Sequence, residues 1–185
     1  MTDTAKDPRD DLVNHLGALR AFAISLTRNS ATADDLVQDT LVKAWTNIDK
    51  FEHGSNMRAW LFTILRNTFY SLRRKRKREV EDGDGALSAT LAQKPDHDGR
   101  LHMRDFQAAF AQLNDEQREA LVLVGAGGFS YEEAAEMCGV KTGTIKSRVN
   151  RARARLTELM ELDSDSQMEL TDTVTAGIVA QQGAA

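Results

Sequence analysis

Apolar positions across residues 11–78 recur at steps of three and four, the spacing that buries one side of a helix. In the first segment Leu12, Leu16, Leu19, Phe22, Ala23 and Leu26 share such a face. The run NSATADD then interrupts the pattern, and Thr32 before Asp34 and Asp35 predicts a cap and an acidic first turn. A second helix is expected to bury Leu36, Val37, Leu41, Ala44, Trp45 and Ile48. DKFEHGSN reads as a loop around Gly54. A third helix, over about 57–77, places Trp60, Leu61, Ile64, Leu65 and Leu72 on its buried stripe.

The periodicity fades over 79–104, where EVEDGDGALSATLAQKPDHDG is acidic and holds Gly, Ser and Pro. It resumes over 105–160. Phe106, Ala109, Phe110 and Leu113 form one stripe, and Asn114 to Gln117 supplies a cap before EALVLVGA. SYEE at 130–133 is a capping box, in which Ser130 caps and Glu133 reaches back to its amide. Gly139 suits the left-handed end of that short helix, and Thr142 is placed to cap the next. No internal repeat and no period-two strand pattern interrupts these helices. The prediction is an all-α chain of two small helical domains: a three-helix bundle over 11–78 and a helix-turn-helix unit over 105–160. A flexible linker over 79–104 joins them, with an extension at 1–10 and a tail at 161–185.

Charge divides the chain in a different way. The formal net charge is −4, yet residues 161–185 carry Glu161, Asp163, Asp165, Glu169 and Asp172 with no Lys or Arg. Residues 79–98 hold six acids against Lys94. The cations gather instead in RRKRKR at 73–78 and in GTIKSRVNRARARL at 143–156. Local sign decides what a surface attracts, so an acidic total is compatible with a nucleic-acid partner.

The second basic stretch has the chemistry of a DNA reader. Ile145, Val149, Ala152 and Leu156 form its buried stripe, which turns Lys146, Ser147, Asn150 and Arg151 outward. Arginine pairs with guanine and asparagine with adenine, while hydroxyls suit base edges or phosphates. A short capped helix, a glycine turn and then this helix make the helix-turn-helix pattern. On the third helix Trp60, Phe62, Phe69 and Tyr70 lie near Arg66, Asn67 and the RRKRKR run. Aromatics beside cations suit unstacked single-stranded bases, although Trp60 also sits on the apolar stripe. The run itself suits a helix C-terminus, whose dipole favours cations. Asp35, Gln38, Asp39 and Lys43 lie outside the apolar face of the second helix and, on the residues alone, are its solvated side.

Other chemistries find little footing. His15, His53, His97 and His102 have no metal-ligand spacing with one another or with Cys138. GAGGF at 125–129 lacks the lysine and the preceding strand of a phosphate loop. No nucleophile–base pair stands out, and no cofactor is implied. Cys138, between Met137 and Gly139, reads as a small packed residue. The polar start, MTDTAKDPRDD, is no secretory signal, and no apolar run is long enough to span a membrane. A cytoplasmic setting is the expectation.

DDLVQDTLVKAWTNIDKFEHGSNMRAWLFTILRNTFYSLRRKRKR resembles region 2 of an extracytoplasmic-function (ECF) sigma factor. LNDEQREALVLVGAGGFSYEEAAEMCGVKTGTIKSRVNRARARL resembles region 4. The wording of the second is similar to the EcfG-type group of general stress response sigma factors. The resemblance implies that Asp35, Gln38, Asp39 and Lys43 meet core RNA polymerase, at the clamp of its beta-prime subunit. It implies that Thr144, Lys146, Ser147, Arg148, Asn150 and Arg151 face the minus-35 element of promoter DNA. It assigns the minus-10 element to Ser55, Asn56, Arg66, Asn67, Tyr70, Arg74 and Lys75, with Asn67 lining the pocket for a flipped base. A NepR-type anti-sigma protein is the implied inhibitor. The rival expectations are a sigma-like decoy that binds the inhibitor without DNA, and an ordinary helix-turn-helix regulator, which leaves 11–78 unexplained. The acidic tail is expected either to be a solvated extension or to screen the basic helix.

Overall fold

The computed structural model describes residues 7–82 and 100–160. Most of the expected linker, the acidic tail and the first six residues lie outside the described residues, as do the roles expected of them. A short α1 (Pro8–Asp11) leads through a 3-10 turn at Leu12–His15 into α2 (Leu16–Thr27). The next helices are α3 (Ser30–Thr46) and the long α4 (Met57–Asp82), separated by a 3-10 turn at Ile48–Lys50. The second unit holds α5 (Arg100–Ala111), α6 (Asp115–Leu121), α7 (Tyr131–Cys138) and α8 (Thr142–Met160). Among the described residues no strand occurs. The all-α architecture in two helical units agrees with the periodicity, though α4 and α5 extend into the segment expected to be linker.

The first core forms where α2, α3 and α4 pack together. Leu19, Phe22, Leu26, Leu36, Leu61 and Leu65 are fully buried there. In the second unit the predicted stripe of α8, Ile145, Val149, Ala152 and Leu156, is fully buried against α5, α6 and α7. Burying a Leu or Ile side chain stabilises by about 1.5–3 kcal/mol, so each stripe fixes which face of its helix stays outside.

Several local expectations need correction. The cap of α3 is Asn29, whose side chain accepts the amide of Thr32; Thr32 lies inside the first turn. Arg28 just before it ends α2 in the left-handed region, so the chain reverses one residue earlier than expected. Thr142 is the first residue of α8 rather than its cap. Trp45 is 57% exposed. Ala44 takes the inward position, and one residue further the helix turns by about 100°, which carries the indole out beneath Arg9. Leu72 stays on the stripe of α4 but is partly open, lining a groove with Leu26, Leu36 and Phe69. Phe62, expected beside single-stranded bases, is buried and stacks on Phe22 at 4.9 Å.

The turn into the helix-turn-helix is built tightly. After α6 the helix widens into a π turn at Val122–Ala126, closed by the Gly127 amide donating to the Val122 carbonyl at 2.7 Å. A Cβ at Gly127 would stand 2.4 Å from the Leu123 carbonyl oxygen and 2.9 Å from the Phe129 ring. The glycine therefore lets Phe129 fold back, where it meets Phe62 edge-on at 5.2 Å. GAGGF is a packing device.

The capping box of α7 forms as expected. Ser130 accepts the Glu133 amide at 3.1 Å, and Glu133 accepts the Ser130 amide at 2.8 Å. That backbone donor holds the Glu133 carboxyl below its ordinary 4.5. A depressed carboxyl stabilises the fold above its unfolded pKa and loses that contribution as pH falls through the folded value. Glu133→Gln keeps the geometry without the charge. Its deficit against the parent protein at pH 7 should be below about 1 kcal/mol, as befits a half-buried group that water still reaches. In urea unfolding, that deficit should shrink as the pH is taken below 4.5; a constant difference would show that the charge has no part in the cap.

Candidate nucleic-acid interface

The face that α8 leaves outside carries the predicted readers. Thr144, Lys146, Asn150 and Arg151 are exposed, and Ser147 and Arg148 are half-buried. Thr144, Ser147, Arg148 and Arg151 line a shallow groove against Asn114, Glu116 and Gln117 at the start of α6. Glu116 holds Arg148 at 2.9 Å, which steers that guanidinium along the helix and away from open solvent. Lys146 stands over the Tyr131 ring at 5.7 Å. Thr144, Asn150 and Arg151 therefore remain the outward groups, with Lys146 and Arg148 held at either side.

Helix α4 and the turn before it carry the other predicted readers, and the 26-residue helix presents three different faces. One face enters the first core. A second, bearing Trp60, Ile64, Asn67 and Ser71, opens on a depression shared with Asn47, Lys50, Lys43 and Thr68. Asn67 is exposed on its wall, and Trp60, tilted against Phe51 at 5.3 Å, supplies an aromatic surface. Lys43 turns into this depression and donates to the Thr68 hydroxyl at 3.0 Å, leaving the row of Asp35, Gln38 and Asp39. Those three stay exposed on α3, near the exposed Val42 and Trp45. Asn47 and Lys50 also line the depression, and periodicity could not single them out because both lie in the turn after α3.

The third face, Arg58, Phe62, Arg66, Tyr70 and Arg73, is directed at the second helical unit. Arg66 pairs with Glu119 of α6 at 2.7 Å and lies over the Tyr70 ring at 4.8 Å. The Tyr70 hydroxyl donates to the other Glu119 oxygen at 3.3 Å. Arg73 pairs with Asp115, Asn56 donates to Glu133 at 3.4 Å, and Arg28 donates to the Ala111 carbonyl at 3.1 Å. Arg58 lies over both Phe62 and Phe129. Three expected minus-10 residues, Asn56, Arg66 and Tyr70, are thus engaged by the second unit. Asn56 also has a local task, capping α4 by accepting the Ala59 amide at 3.1 Å. Ser55 is exposed in the preceding turn, where its amide donates to the Glu52 carbonyl at 3.0 Å. Arg74 is exposed and donates to Ser71, and Lys75 stands 3.8 Å from Glu79.

Glu119 is fully buried. Burial pushes its carboxyl above the ordinary range, while Arg66 and then Cys138 and Tyr70 draw it back. The same site pushes the Cys138 thiol up to about 12, chiefly through burial and then the Glu119 charge, so the thiol stays protonated at neutral pH. Burial and the neighbouring Glu119 likewise raise the Tyr70 phenol. Glu119 escaped the sequence reading because an acid within EQREALVL looks like an ordinary polar helix position. Its only signal was the apolar run around it.

Residues 12–79 match the family described as Sigma-70 region 2, and residues 103–156 match Sigma-70, region 4. The ECF RNA polymerase sigma factor EcfG of Rhodopseudomonas palustris (strain TIE-1) is 55% identical over 92% of this chain and 94% of its own. SigM of Bacillus subtilis (strain 168), also an ECF sigma factor, is 33% identical over 75% of this chain and 85% of its own. Among solved structures, the sigma factor RpoE of Bartonella quintana, crystallised with the anti-sigma factor NepR, superposes with a TM-score of 0.77. It is 57% identical, over 86% of this chain and 99% of its own. A PhyRSL–NepR complex from Sphingomonas sp. Fr1 shares the fold with a TM-score of 0.62 at 23% identity. Two adjacent matches in family order, with relatives aligned across nearly the full chain, leave one assignment: the chain belongs to the sigma-70 family as an ECF RNA polymerase sigma factor, a transcription initiation factor that directs core polymerase to promoters.

Proposed function

We propose that region 4, residues 105–160, reads the minus-35 element through α8, and that region 2, residues 11–78, opens and reads the minus-10 element through α4. The observation that carries this division is the outward face of α8, where Thr144, Asn150 and Arg151 stand clear of a fully buried stripe. The depression beside Asn67, with an indole wall and two lysines, supports the minus-10 assignment. Extracting a base costs a few kcal/mol of stacking and pairing; Trp60 offers stacking and Lys43 and Lys50 offer charge in return. Asp35, Gln38 and Asp39 are assigned to core polymerase, where the neighbouring exposed Val42 and Trp45 would add apolar contact. Arg74 and Lys75 are assigned to phosphates.

The similarity to EcfG and to a NepR-bound sigma factor supports a general stress response role, cytoplasmic action and control by a NepR-type anti-sigma protein. Among the described residues no helix is long and apolar enough to cross a membrane. The fold alone does not separate this reading from a sigma-like decoy. The basic α8 face does favour the sigma factor, since a decoy has no use for it.

Transcription in vitro with core polymerase, this protein and a promoter library tests the reading: selective initiation is expected, and none at any promoter would overturn it. Within that assay Arg151→Ala should weaken minus-35 binding by about 1–3 kcal/mol and relax preference at one base pair. Replacing Arg74 and Lys75 should instead weaken all promoters alike and flatten the salt dependence; a promoter-selective loss would contradict the phosphate assignment. Asn67→Ala should impair strand opening, followed by permanganate reactivity of unpaired thymines, more than duplex binding. Equal opening would remove Asn67 from the pocket.

A further inference from the structure

The face of α8 assigned to the minus-35 element has a second wall. Thr144, Ser147, Arg148 and Arg151 follow one another at steps of three, one and three, so they share one side of the helix. Asn114, Glu116 and Gln117 at the start of α6 stand across the groove from them. The Arg148 side chain, on a face meant for DNA, is only 15% exposed, whereas the Glu116 side chain that holds it is 61% exposed. Arg155 pairs inside α8 with Glu158, but Arg148 pairs with a different helix. That helix, α6, packs on α8 with Leu121 and Ile145 fully buried, so Glu116 stands on a fixed support beside the reader. We propose that Glu116 is a specificity-determining residue of region 4: it aims Arg148 at the base edge of one guanine and keeps that arginine off the DNA phosphates.

A guanidinium carries its N–H donors in one rigid plane. The contact with Glu116 at 2.9 Å takes up one end of that plane and fixes it, leaving donors for the O6 and N7 acceptors of guanine. Charge then sorts the ligands. A phosphate touching Arg148 comes well inside the screening length of about 8 Å from the Glu116 carboxylate, and the two anions repel. Guanine O6 and N7 bear no formal charge, so the same carboxylate scarcely opposes them. An untethered arginine loses rotamer freedom on binding, and one already held loses less. The carboxylate therefore lowers the affinity of region 4 for DNA in general and widens the gap between right and wrong sequences.

This inference rests on the assignment of α8 to the minus-35 element, and one experiment separates the two. Holoenzyme assembled from core polymerase and the full chain is bound to promoters in which each minus-35 base pair is varied, over a range of salt. In Glu116→Ala, preference for guanine at one position should fall about tenfold. Promoters without a minus-35 match should bind several-fold more tightly, and the plot of log affinity against log salt should steepen by about 0.9, the value of one added phosphate contact. Glu116→Gln keeps an acceptor for Arg148 without the charge. It should steepen the plot equally and retain part of the guanine preference. Arg148→Ala should lose the preference at that same base pair, and adding Glu116→Ala to it should change nothing more. Asp115 and the Asn114–Gln117 capping box still start α6 in each variant. Unchanged preference and slope in both Glu116 variants, while Arg148→Ala relaxes one position, would overturn the role of Glu116. A uniform loss at all promoters with the slope unchanged would show a merely structural ion pair and overturn it too. If neither Arg148→Ala nor Arg151→Ala alters any minus-35 preference, the assignment of α8 itself falls.

Discussion

Glu119 and Arg66 set the arrangement of this molecule. A carboxylate with no exposed surface cannot remain charged in an apolar interior without an opposite charge at contact distance. The partner comes from the other region, so the burial of Glu119 is possible only while α4 and α6 are together. The pair is a poor source of net stability, because both ions lose water to form it. Its effect is on specificity: an alternative docking of the two regions that separated these groups would leave a buried charge exposed to apolar surroundings. Phe62 against Phe129 supplies the apolar part of the contact, and Gly127 gives Phe129 the room to reach it.

Helix α4 concentrates the functional problem. One face closes the region 2 core, one lines the depression with Asn67 and Trp60, and one carries Arg58, Phe62, Arg66, Tyr70 and Arg73 toward region 4. The second face is open in the closed molecule and the third is occupied. The reader helix α8 is likewise open on its outward side. Closure therefore leaves each region with part of its recognition surface available, while preventing both from being used on one promoter.

Much of this was legible from periodicity. The α8 stripe, the cap at Asn114, the capping box at Ser130 and the left-handed Gly139 all follow from the sequence, because each depends on neighbours within a few residues. The misplacements have a common cause. Trp45 and Phe62 differ from expectation because hydrophobicity shows that a ring seeks cover but not which neighbour supplies it. Trp45 lies one residue past the inward position and is capped by Arg9, whereas Phe62 finds its cover against Phe22 and across the regions at Phe129. Glu119 lies about fifty positions along the chain from Arg66 and Tyr70, and no local pattern links an arginine on one helix to an acid in an apolar run on another. The resemblance to sigma factors named Arg66 and Tyr70 as DNA residues. It took their side chains in space to show that the free protein already gives them a partner.

With Glu119 held by Arg66 the free chain has its two regions together, whereas a promoter needs them apart. Single-molecule energy transfer between dyes at Val13→Cys and Glu136→Cys, both exposed positions in different regions, measures this directly in a Cys138→Ser background. The prediction is one high-efficiency population for the free protein, and a low-efficiency population once core polymerase and a promoter are added. A free protein already at low efficiency, or a promoter complex that keeps the high value, would contradict it.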